Sequence, residues 1–185
     1  MTSWTIRKIE KKDNPAVAKL IRAVFDELEI PKVGTAYEDP YLDLMFEEYN
    51  KPRSVYFVVE QEGEVVGCAG IAPLDNEKET ICELQKMYFL PQARGLGLGR
   101  RLLRTALAFA REQGYQHCYL ETTAVLARAT RLYQLMGFRP LTAPLGNTGH
   151  CACEIRMLCD LVNPEPDSAP VLPATGCGCR ATAQP

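Results

Sequence analysis

A glycine-rich segment between two apolar runs carries the most specific chemical signal in this sequence of 185 residues. Arg94-Gly-Leu-Gly-Leu-Gly99 follows a β-rich run and opens an amphipathic helical run. Glycines let backbone amides approach a ligand closely, and amides at the start of a helix point outward at the positive end of its dipole. Since Arg94, Arg100 and Arg101 add positive charge, the segment favours pyrophosphate binding over the alternative of a tight turn that only packs the helix on the sheet.

Two other phosphate-binding motifs fit this segment less well. A P-loop is excluded because no Gly-Lys-Ser or Gly-Lys-Thr follows the glycines. A dinucleotide fingerprint needs Gly-x-Gly-x-x-Gly, whereas Leu102 stands where a third glycine counted from Gly97 would fall. Glu121 does lie about 20 residues further on, so a nicotinamide-dependent oxidoreductase stays open as an alternative.

Two glutamates near the glycine segment are candidates for acid–base chemistry. Glu83 lies in the strand that leads to the glycines, and Glu121 ends the next predicted strand. Two-residue alternation places Glu83 on one face with Gln85, Met87 and Phe89. A carboxylate among apolar neighbours has a raised pKa that suits a general base near neutral pH, whereas pairing with an arginine is the structural alternative.

Tyr133 is the candidate acid, and it lies on the apolar face of a later helical run. It is either a core tyrosine with a satisfied hydroxyl or a hydrogen-bond donor in a reaction. The sequence contains no recognisable Ser–His–Asp or Cys–His pattern, which favours direct attack on a substrate over a covalent enzyme intermediate.

The elements that position these residues follow from periodicity, turn residues and caps. Strands are predicted over residues 4–10, 54–60, 65–72, 80–90, 117–122, 138–142 and 151–159. Helices are predicted over residues 15–28, 40–50, 98–113 and 125–136. The second and third strands form a hairpin and later strands alternate with helices, so the fold class is mixed α/β with helices on both faces of a mixed sheet.

Composition and charge describe an ordinary globular chain. Apolar residues make up 46% and charged residues 24%, and 21 basic against 23 acidic residues give a net charge of −2. This balance offers no overall electrostatic case for a nucleic acid or an anionic membrane as partner. The sequence shows neither a signal peptide nor a membrane span, so we expect a cytoplasmic protein whose eight cysteines are reduced.

One domain is predicted over residues 1–162, followed by a proline-rich tail over residues 163–185 that is expected to be disordered. Several cysteines in apolar runs are expected to pack as small hydrophobes: Cys68, Cys82, Cys118 and Cys159. The Cys-x-Cys spacings near the C-terminus differ from the Cys-x-x-Cys pairs of zinc sites, so we expect no metal. His150 is a candidate substrate contact in the loop between the last two strands.

Two motifs make the sequence resemble the GNAT superfamily of acyltransferases. The family's coenzyme motif, Arg/Gln-x-x-Gly-x-Gly/Ala, is matched at Arg94, Gly97 and Gly99, and the later signature Leu-Tyr-x-x-x-Gly-Phe is matched by Leu132 to Phe138. The resemblance extends over residues 4–160 in element order. It implies a GNAT-like twisted, mostly antiparallel mixed sheet of about seven strands flanked by about four helices.

The resemblance also implies acetyl-CoA as co-substrate. Backbone groups of Met87, Tyr88 and Phe89 would contact the pantetheine arm as an added strand does. The pyrophosphate would be held by Arg94 and by the backbone amides of Gly95, Leu96, Gly97, Leu98, Gly99 and Arg100. The sequence departs from the family at Leu126, where many members have a coenzyme-binding Asn.

The implied reaction is acetyl transfer from acetyl-CoA directly to a primary amine of a small molecule or a protein, by general acid–base catalysis. Glu83 or Glu121 would be the base, and Tyr133 would donate to the leaving sulfur. A base is valuable because an alkyl amine of pKa about 10.4 is almost entirely protonated at pH 7. Leu126 gives some weight to the alternative of a non-catalytic acyl-CoA-binding sensor or regulatory module.

The part of the site that receives the acceptor amine is expected to border an acidic segment: Glu38, Asp39, Asp43, Glu47 and Glu48. These carboxylates either steer a cationic amine or form a solvated helix face. Neither a nucleic acid nor a membrane is expected as a partner, and the sequence leaves a homodimer open.

Overall fold

This computed structural model describes residues 3–148 and 153–163. Within these residues, runs of β-branched and aromatic residues build one seven-stranded sheet. The strands are β1 Trp4–Lys8, β2 Val55–Gln61, β3 Glu64–Pro73, β4 Ile81–Phe89, β5 His117–Thr122, β6 Arg139–Pro140 and β7 Ile155–Asp160. The accompanying α-helices are α1 Asn14–Glu27, α2 Met45–Tyr49, α3 Leu98–Glu112 and α4 Ala127–Leu135. The predicted order of strands and helices is confirmed.

The sheet is mostly antiparallel, with the strand order β1-β2-β3-β4-β5-β7-β6. Among the described strands, β4 and β5 form the one parallel pair, and α3 provides the crossover that parallel strands require. A dinucleotide-binding fold needs a parallel, doubly wound sheet, so this topology overturns the nicotinamide-dependent alternative. The predicted mixed sheet with helices on both faces is confirmed.

Each face of the sheet buries its own apolar core. On one face α3 packs Leu102, Leu103 and Leu107 against the sheet, and on the other α1 and α2 bury residues such as Ile21 and Met45. Each such side chain contributes about 1.5–3 kcal/mol on burial, so the two cores fix the sheet from both sides. The cysteines predicted to pack as small hydrophobes are free and buried: Cys68, Cys82, Cys118 and Cys159.

A β-bulge in β4 changes which side chains share a face. The register between β3 and β4 shifts near Lys86, which adopts a left-handed φ of 50°. A bulge inserts one extra residue and reverses the alternation beyond it. Glu83 and Gln85 therefore lie on the α2 face, whereas Met87 and Phe89 pack against the α3 core. The prediction that these four side chains share a face was wrong because strict alternation fails at the bulge.

The second helix is shorter than predicted because a side chain of α1 sets where it begins. Residues 40–50 were expected to be helical, whereas α2 spans Met45–Tyr49. Asn14, buried at the start of α1, accepts a hydrogen bond of 2.8 Å from the Phe46 backbone N–H and donates one of 2.7 Å to Glu47. This long-range cap satisfies the first turn of α2, and it leaves no local signal in the sequence.

Some predictions fall on residues outside the described ranges. The strand predicted over 151–159 is seen as β7 from Ile155, and residues 149–152, which include His150, lie outside the description. Residues 164–185 also lie outside it, so the tail and the domain boundary at residue 162 stay predictions. Within the ranges described, no helix combines the length and apolar character needed to cross a membrane.

Gly70 in β3 leaves the space in which two tyrosines pack on the sheet. A Cβ added at Gly70 would lie 2.6 Å from Cε1 of Tyr49 and 2.7 Å from Cδ2 of Tyr56. We expect Gly70→Ala to lower the free energy of unfolding by about 1–3 kcal/mol, because overpacking displaces buried rings. Urea unfolding measures the change, with Glu64→Ala at the exposed start of β3 as the control. Equal stability of the two variants would contradict this packing role.

Candidate functional site

A groove opens where β4 and β5 stop pairing. The two strands pair only from Ile81 to Glu83, opposite His117 to Tyr119. Beyond these residues the strands diverge, and the groove between them, with its open mouth, has a volume of about 620 Å³. Its lining brings together several residues predicted to form the site: Glu83, Met87, Tyr88, Glu121 and Tyr133.

Glu83 lines the groove although only 4% of the residue is exposed. Its Oε2 accepts a hydrogen bond of 2.6 Å from Nε2 of Gln85. Oε1 of Gln85 in turn accepts a hydrogen bond from the hydroxyl of Tyr49, with 2.5 Å between the oxygens. A neutral amide therefore orients this carboxylate at the point where the strands separate, which suits a base.

Tyr133 reaches the same groove from α4. The residue is 5% exposed, and its ring centroid lies 5.8 Å from that of Phe138. Its hydroxyl has no hydrogen-bond partner among the residues that the structure describes, whereas a core tyrosine would have one. Burial raises the pKa of Tyr133 well above its usual value, so the phenol stays protonated and is available as a donor.

Glu121 lines the groove from β5, but its carboxylate is already engaged. Oε1 accepts a hydrogen bond of 2.6 Å from the hydroxyl of Tyr119, and Oε2 accepts one of 2.8 Å from Oγ1 of Thr148. Nε of Arg156 lies 3.7 Å from Oε1. The arginine pairing that the sequence left open for a strand carboxylate is therefore found at Glu121, whose two oxygens are already in contact with three side chains.

The glycine segment presents a row of backbone donors. The N–H groups of residues 95–99 donate to no other part of the chain that the structure describes, and the Arg101 N–H makes the first bond of α3, 3.2 Å to the carbonyl of Gly97. Gly95 and Gly97 have φ values of 77° and 76°, which residues with a Cβ rarely adopt. Such a row of donors at a helix start can hold an anion, and its binding of a pyrophosphate stays a prediction.

The rest of the glycine segment combines packing with exposure. Leu98 is buried in the α3 core, whereas Leu96 and Arg100 face outward. A Cβ added at Gly99 would lie 3.2 Å from Cδ2 of Leu132 on α4. Close packing, the alternative explanation for the glycines, thus applies to Gly99, while the earlier glycines determine the path of the backbone.

Beyond the bulge, β4 pairs with β3 on one edge and with no described strand on the other. Met87 and Tyr88 line the groove here, while the Phe89 ring packs into the α3 core. A free strand edge accepts an extended ligand through its backbone groups, as predicted for these three residues.

Arg94 is bound to α1 and to the end of β4. Its Nε donates a hydrogen bond of 2.8 Å to the carbonyl of Phe89, and its Nη1 and Nη2 each donate one of 2.8 Å to the carboxylate of Glu27. These bonds lower the pKa of Glu27. The guanidinium therefore anchors the glycine segment to the end of α1, and its contact with a pyrophosphate stays a prediction.

The acidic segment between α1 and β2 is extensively paired. Glu38 accepts a hydrogen bond from the Gly34 N–H, and the ion pairs are Asp39–Lys86, Asp43–Arg22, Glu47–Lys11 and Glu48–Lys51. Local pairing compensates these charges, which favours a structural role over steering of a cationic substrate. The Asp39–Lys86 pair, 2.5 Å between Oδ2 and Nζ, ties this segment to the bulge in β4.

Sequence reasoning missed three polar residues of this site: Tyr49, Gln85 and Lys86. Gln85 carried a usable signal, because residues two apart in a strand share a face and Glu83 was already a candidate. Tyr49 lies on a separate helix and Lys86 at an irregular bulge, so neither had a local signal. Leu126, at the position of the family's Asn, contributes only an apolar side chain to the groove.

Cys153 lines the groove in front of β7. Burial raises the pKa of its thiol to about 11, with the nearby carboxylate of Glu121 contributing in the same direction. A thiol of this kind is protonated at neutral pH and is a poor nucleophile. Within residues 3–148 and 153–163, no group of three or more His, Cys, Asp or Glu side chains is placed to hold a metal ion.

Comparison with known proteins gives a consistent result. A model of the acetyltransferase (GNAT) family matches residues 21–138. The chain is 49% identical over 160 residues to the uncharacterized N-acetyltransferase YjgM of Escherichia coli strain K12, which covers 86% of this chain and 96% of that protein.

Solved structures share the fold at lower identity. One is an acetyltransferase of the GNAT family from Staphylococcus aureus Mu50, with a TM-score of 0.75, 20% identity, and coverage of 86% of this chain and 99% of that chain. Another is yncA from Salmonella typhimurium with its cofactor acetyl-CoA, with a TM-score of 0.67, 22% identity, and coverage of 90% and 98%.

The anchoring of Arg94 can be tested by stability. We expect Arg94→Gln to lower the melting temperature by roughly 2–4 °C, because the carbonyl of Phe89 loses its donor and α1 loses its link to the glycine segment. Arg22→Gln is the control: it removes an exposed bidentate pair between α1 and Asp43, which precedes α2, and it should shift the melting temperature by about 1 °C or less. Equal shifts in differential scanning calorimetry would contradict the anchoring role.

Proposed function

Because the chain belongs to the acetyltransferase (GNAT) family and is an N-acetyltransferase, we propose that the groove between β4 and β5 is where acetyl-CoA gives its acetyl group directly to a primary amine. The observation that carries the proposal is the row of N–H donors at residues 95–99, which follows the strand whose groove contains Glu83 and Tyr133. Acetyl-CoA supplies an activated thioester and an anionic pyrophosphate, and this chain offers groups complementary to each.

The coenzyme is proposed to lie along the free edge of β4. The N–H groups of residues 95–99, with that of Arg100, would hold the pyrophosphate, and the side chains of Arg100 and Arg101 would add positive charge. Backbone groups of Met87, Tyr88 and Phe89 would bind the pantetheine arm. The left-handed glycines, and the edge of β4 that beyond Glu83 pairs with no described strand, support this placement.

Glu83 is the proposed general base, acting on the amine directly or through a bridging water. Its burial beside the groove and its hydrogen bond from a neutral amide support this role. Glu121 is the weaker candidate, because Tyr119, Thr148 and Arg156 already contact its two oxygens. The base removes the proton that otherwise blocks the nitrogen lone pair of the amine.

Tyr133 is proposed to stabilise the leaving group. Glu83 takes one proton from the protonated amine and so frees the nitrogen lone pair. As the new N–C bond forms, the C–S bond breaks and the sulfur takes the electron pair, and the second nitrogen proton passes to the departing sulfur. A phenol whose pKa is raised by burial is a poor proton donor, so hydrogen bonding to the developing sulfur charge describes its role better than full proton transfer.

The acceptor is proposed to be a primary amine of a small molecule or of a protein. Cytoplasmic location stays a prediction from the sequence, and a homodimer stays open. The function is tested with purified protein, acetyl-CoA and a panel of amines, following thiol release and acetylated product by mass spectrometry. Binding of acetyl-CoA by calorimetry without transfer to any amine would favour the non-catalytic sensor instead.

Tyr133→Phe is expected to lower kcat by tenfold or more, because the sulfur loses its hydrogen bond as charge develops on it. The dissociation constant of acetyl-CoA should change little, since the hydroxyl is not part of the pyrophosphate or strand-edge contacts. Steady-state rate assays measure kcat, and calorimetry on the same preparation measures the dissociation constant of acetyl-CoA. Unchanged turnover in this variant would remove Tyr133 from the mechanism.

The two glutamates can be ranked by paired substitutions. Glu83→Gln is expected to lower kcat/KM by about 100-fold or more at pH 7, because the amine loses its base. Glu121→Gln keeps a side chain of the same size and should lower kcat/KM by about threefold or less, because it acts mainly on the packing of its partners. A larger loss in Glu121→Gln than in Glu83→Gln would reverse the assignment.

A further inference from the structure

We propose that Tyr49 and Gln85 are positioning residues for the reaction, forming a relay that orients the Glu83 carboxylate and stabilises its ionised form. The relay runs from the hydroxyl of Tyr49 to Oε1 of Gln85, and from Nε2 of Gln85 to Oε2 of Glu83. It joins α2 to β4 beside the groove, and it rests on the proposed role of Glu83 as base.

The direction of the relay follows from what each group can donate. Gln85 places its amide nitrogen 2.6 Å from Oε2 of Glu83, and because this N–H can only donate, the carboxylate accepts. The amide carbonyl then faces Tyr49, which must donate its hydroxyl proton. A protonated Glu83 would itself be a donor and would face the amide N–H donor, so this arrangement favours the ionised, base-competent form.

Tyr49 is a secure donor because it is deeply buried. The residue is 4% exposed, and its ring lies 4.8 Å from that of Tyr56 in the space left by Gly70. Burial raises the pKa of Tyr49 well above its usual value, with the charge of Glu83 contributing in the same direction. The hydroxyl therefore stays protonated throughout the working range of pH and fixes the orientation of the Gln85 amide.

Other titratable groups face Glu83 from the surrounding elements. Within residues 3–148 and 153–163 they are Tyr49 on α2, Asp39 between the first two helices, Lys86 and Tyr88 on β4, Cys118, Tyr119 and Glu121 on β5, Tyr133 on α4 and Cys153 before β7. Asp39 is paired with Lys86, and Glu121 lies beside Arg156, so these charges largely compensate each other. Burial raises the pKa values of the tyrosines and cysteines among these groups, so they remain neutral. A substitution of Gln85 therefore removes the amide hydrogen bond to Glu83 without changing a charge near it.

The experiment titrates Glu83 directly in the full chain. Glutamate carboxyl carbons are labelled with carbon-13, and the NMR signal that disappears in Glu83→Gln identifies Glu83. We expect Gln85→Met, which keeps the length of the side chain but cannot donate, to raise the titration midpoint of this signal by about one pH unit. Tyr49→Phe should raise it by less, because Gln85 keeps its N–H but loses its anchor.

A matched control is Tyr115→Phe, which removes another buried hydroxyl, one that donates a hydrogen bond of 3.0 Å to the carbonyl of Arg53 on the α3 side of the sheet. In Tyr115→Phe, the titration midpoint of the Glu83 signal should equal that of the parent protein. An unchanged midpoint in folded Gln85→Met overturns the relay. If that variant does not fold, an unchanged midpoint in Tyr49→Phe overturns it instead.

Kinetics separate this proposal from the proposed function. With an amine that is acetylated, the acidic limb of the kcat/KM profile should move to higher pH in Gln85→Met by the same amount as the NMR midpoint, since the base is then protonated over a wider range. If no amine is acetylated, the proposed function fails while the titration still decides the relay. If transfer proceeds and neither the limb nor the midpoint moves, the relay alone is wrong.

Discussion

The groove exists because the parallel strands β4 and β5 pair for only three residues before β4 bulges. β4 and β5 are joined over residues 81–83 and 117–119, and β4 then adopts the irregular backbone at Lys86. A bulge bends its strand and increases its twist, which carries β4 away from β5 while it remains paired with β3. The hydroxyl of Tyr56 fixes this irregular point through a hydrogen bond of 2.9 Å to the carbonyl of Lys86. A free strand edge and the buried Glu83 are thereby placed side by side.

The two cores keep the diverging strands from closing again. Leu98 and the other buried residues of α3 hold one face, and α1 with α2 holds the other, so each strand is fixed by its own helices. Arg94 connects these layers, because its guanidinium links the start of the glycine segment to Glu27 on α1. The glycine segment and its row of donors are therefore held in place by contacts with both α1 and the sheet.

Local sequence patterns predicted most of the fold and part of the candidate site. The strand that ends at Phe89 and the helix that begins at Leu98 follow from periodicity, and the intervening glycines predicted the donor row. Features that depend on tertiary contacts were out of reach. The bulge at Lys86 separates Glu83 from Met87 although alternation joins them, and no local pattern brings Tyr49 from α2 to within a hydrogen bond of Gln85. Sequence reasoning kept both glutamates as bases, and only the contacts around Glu121 distinguish them.

Cys153 illustrates how the groove limits unwanted chemistry. Burial raises the pKa of its thiol to about 11, so the thiol is protonated at pH 7. An ionised cysteine beside an activated thioester would exchange with it and become acylated, which would trap the enzyme in a dead-end state. If the thioester binds in this groove as proposed, the protonated thiol of Cys153 would line its wall without competing with the incoming nitrogen.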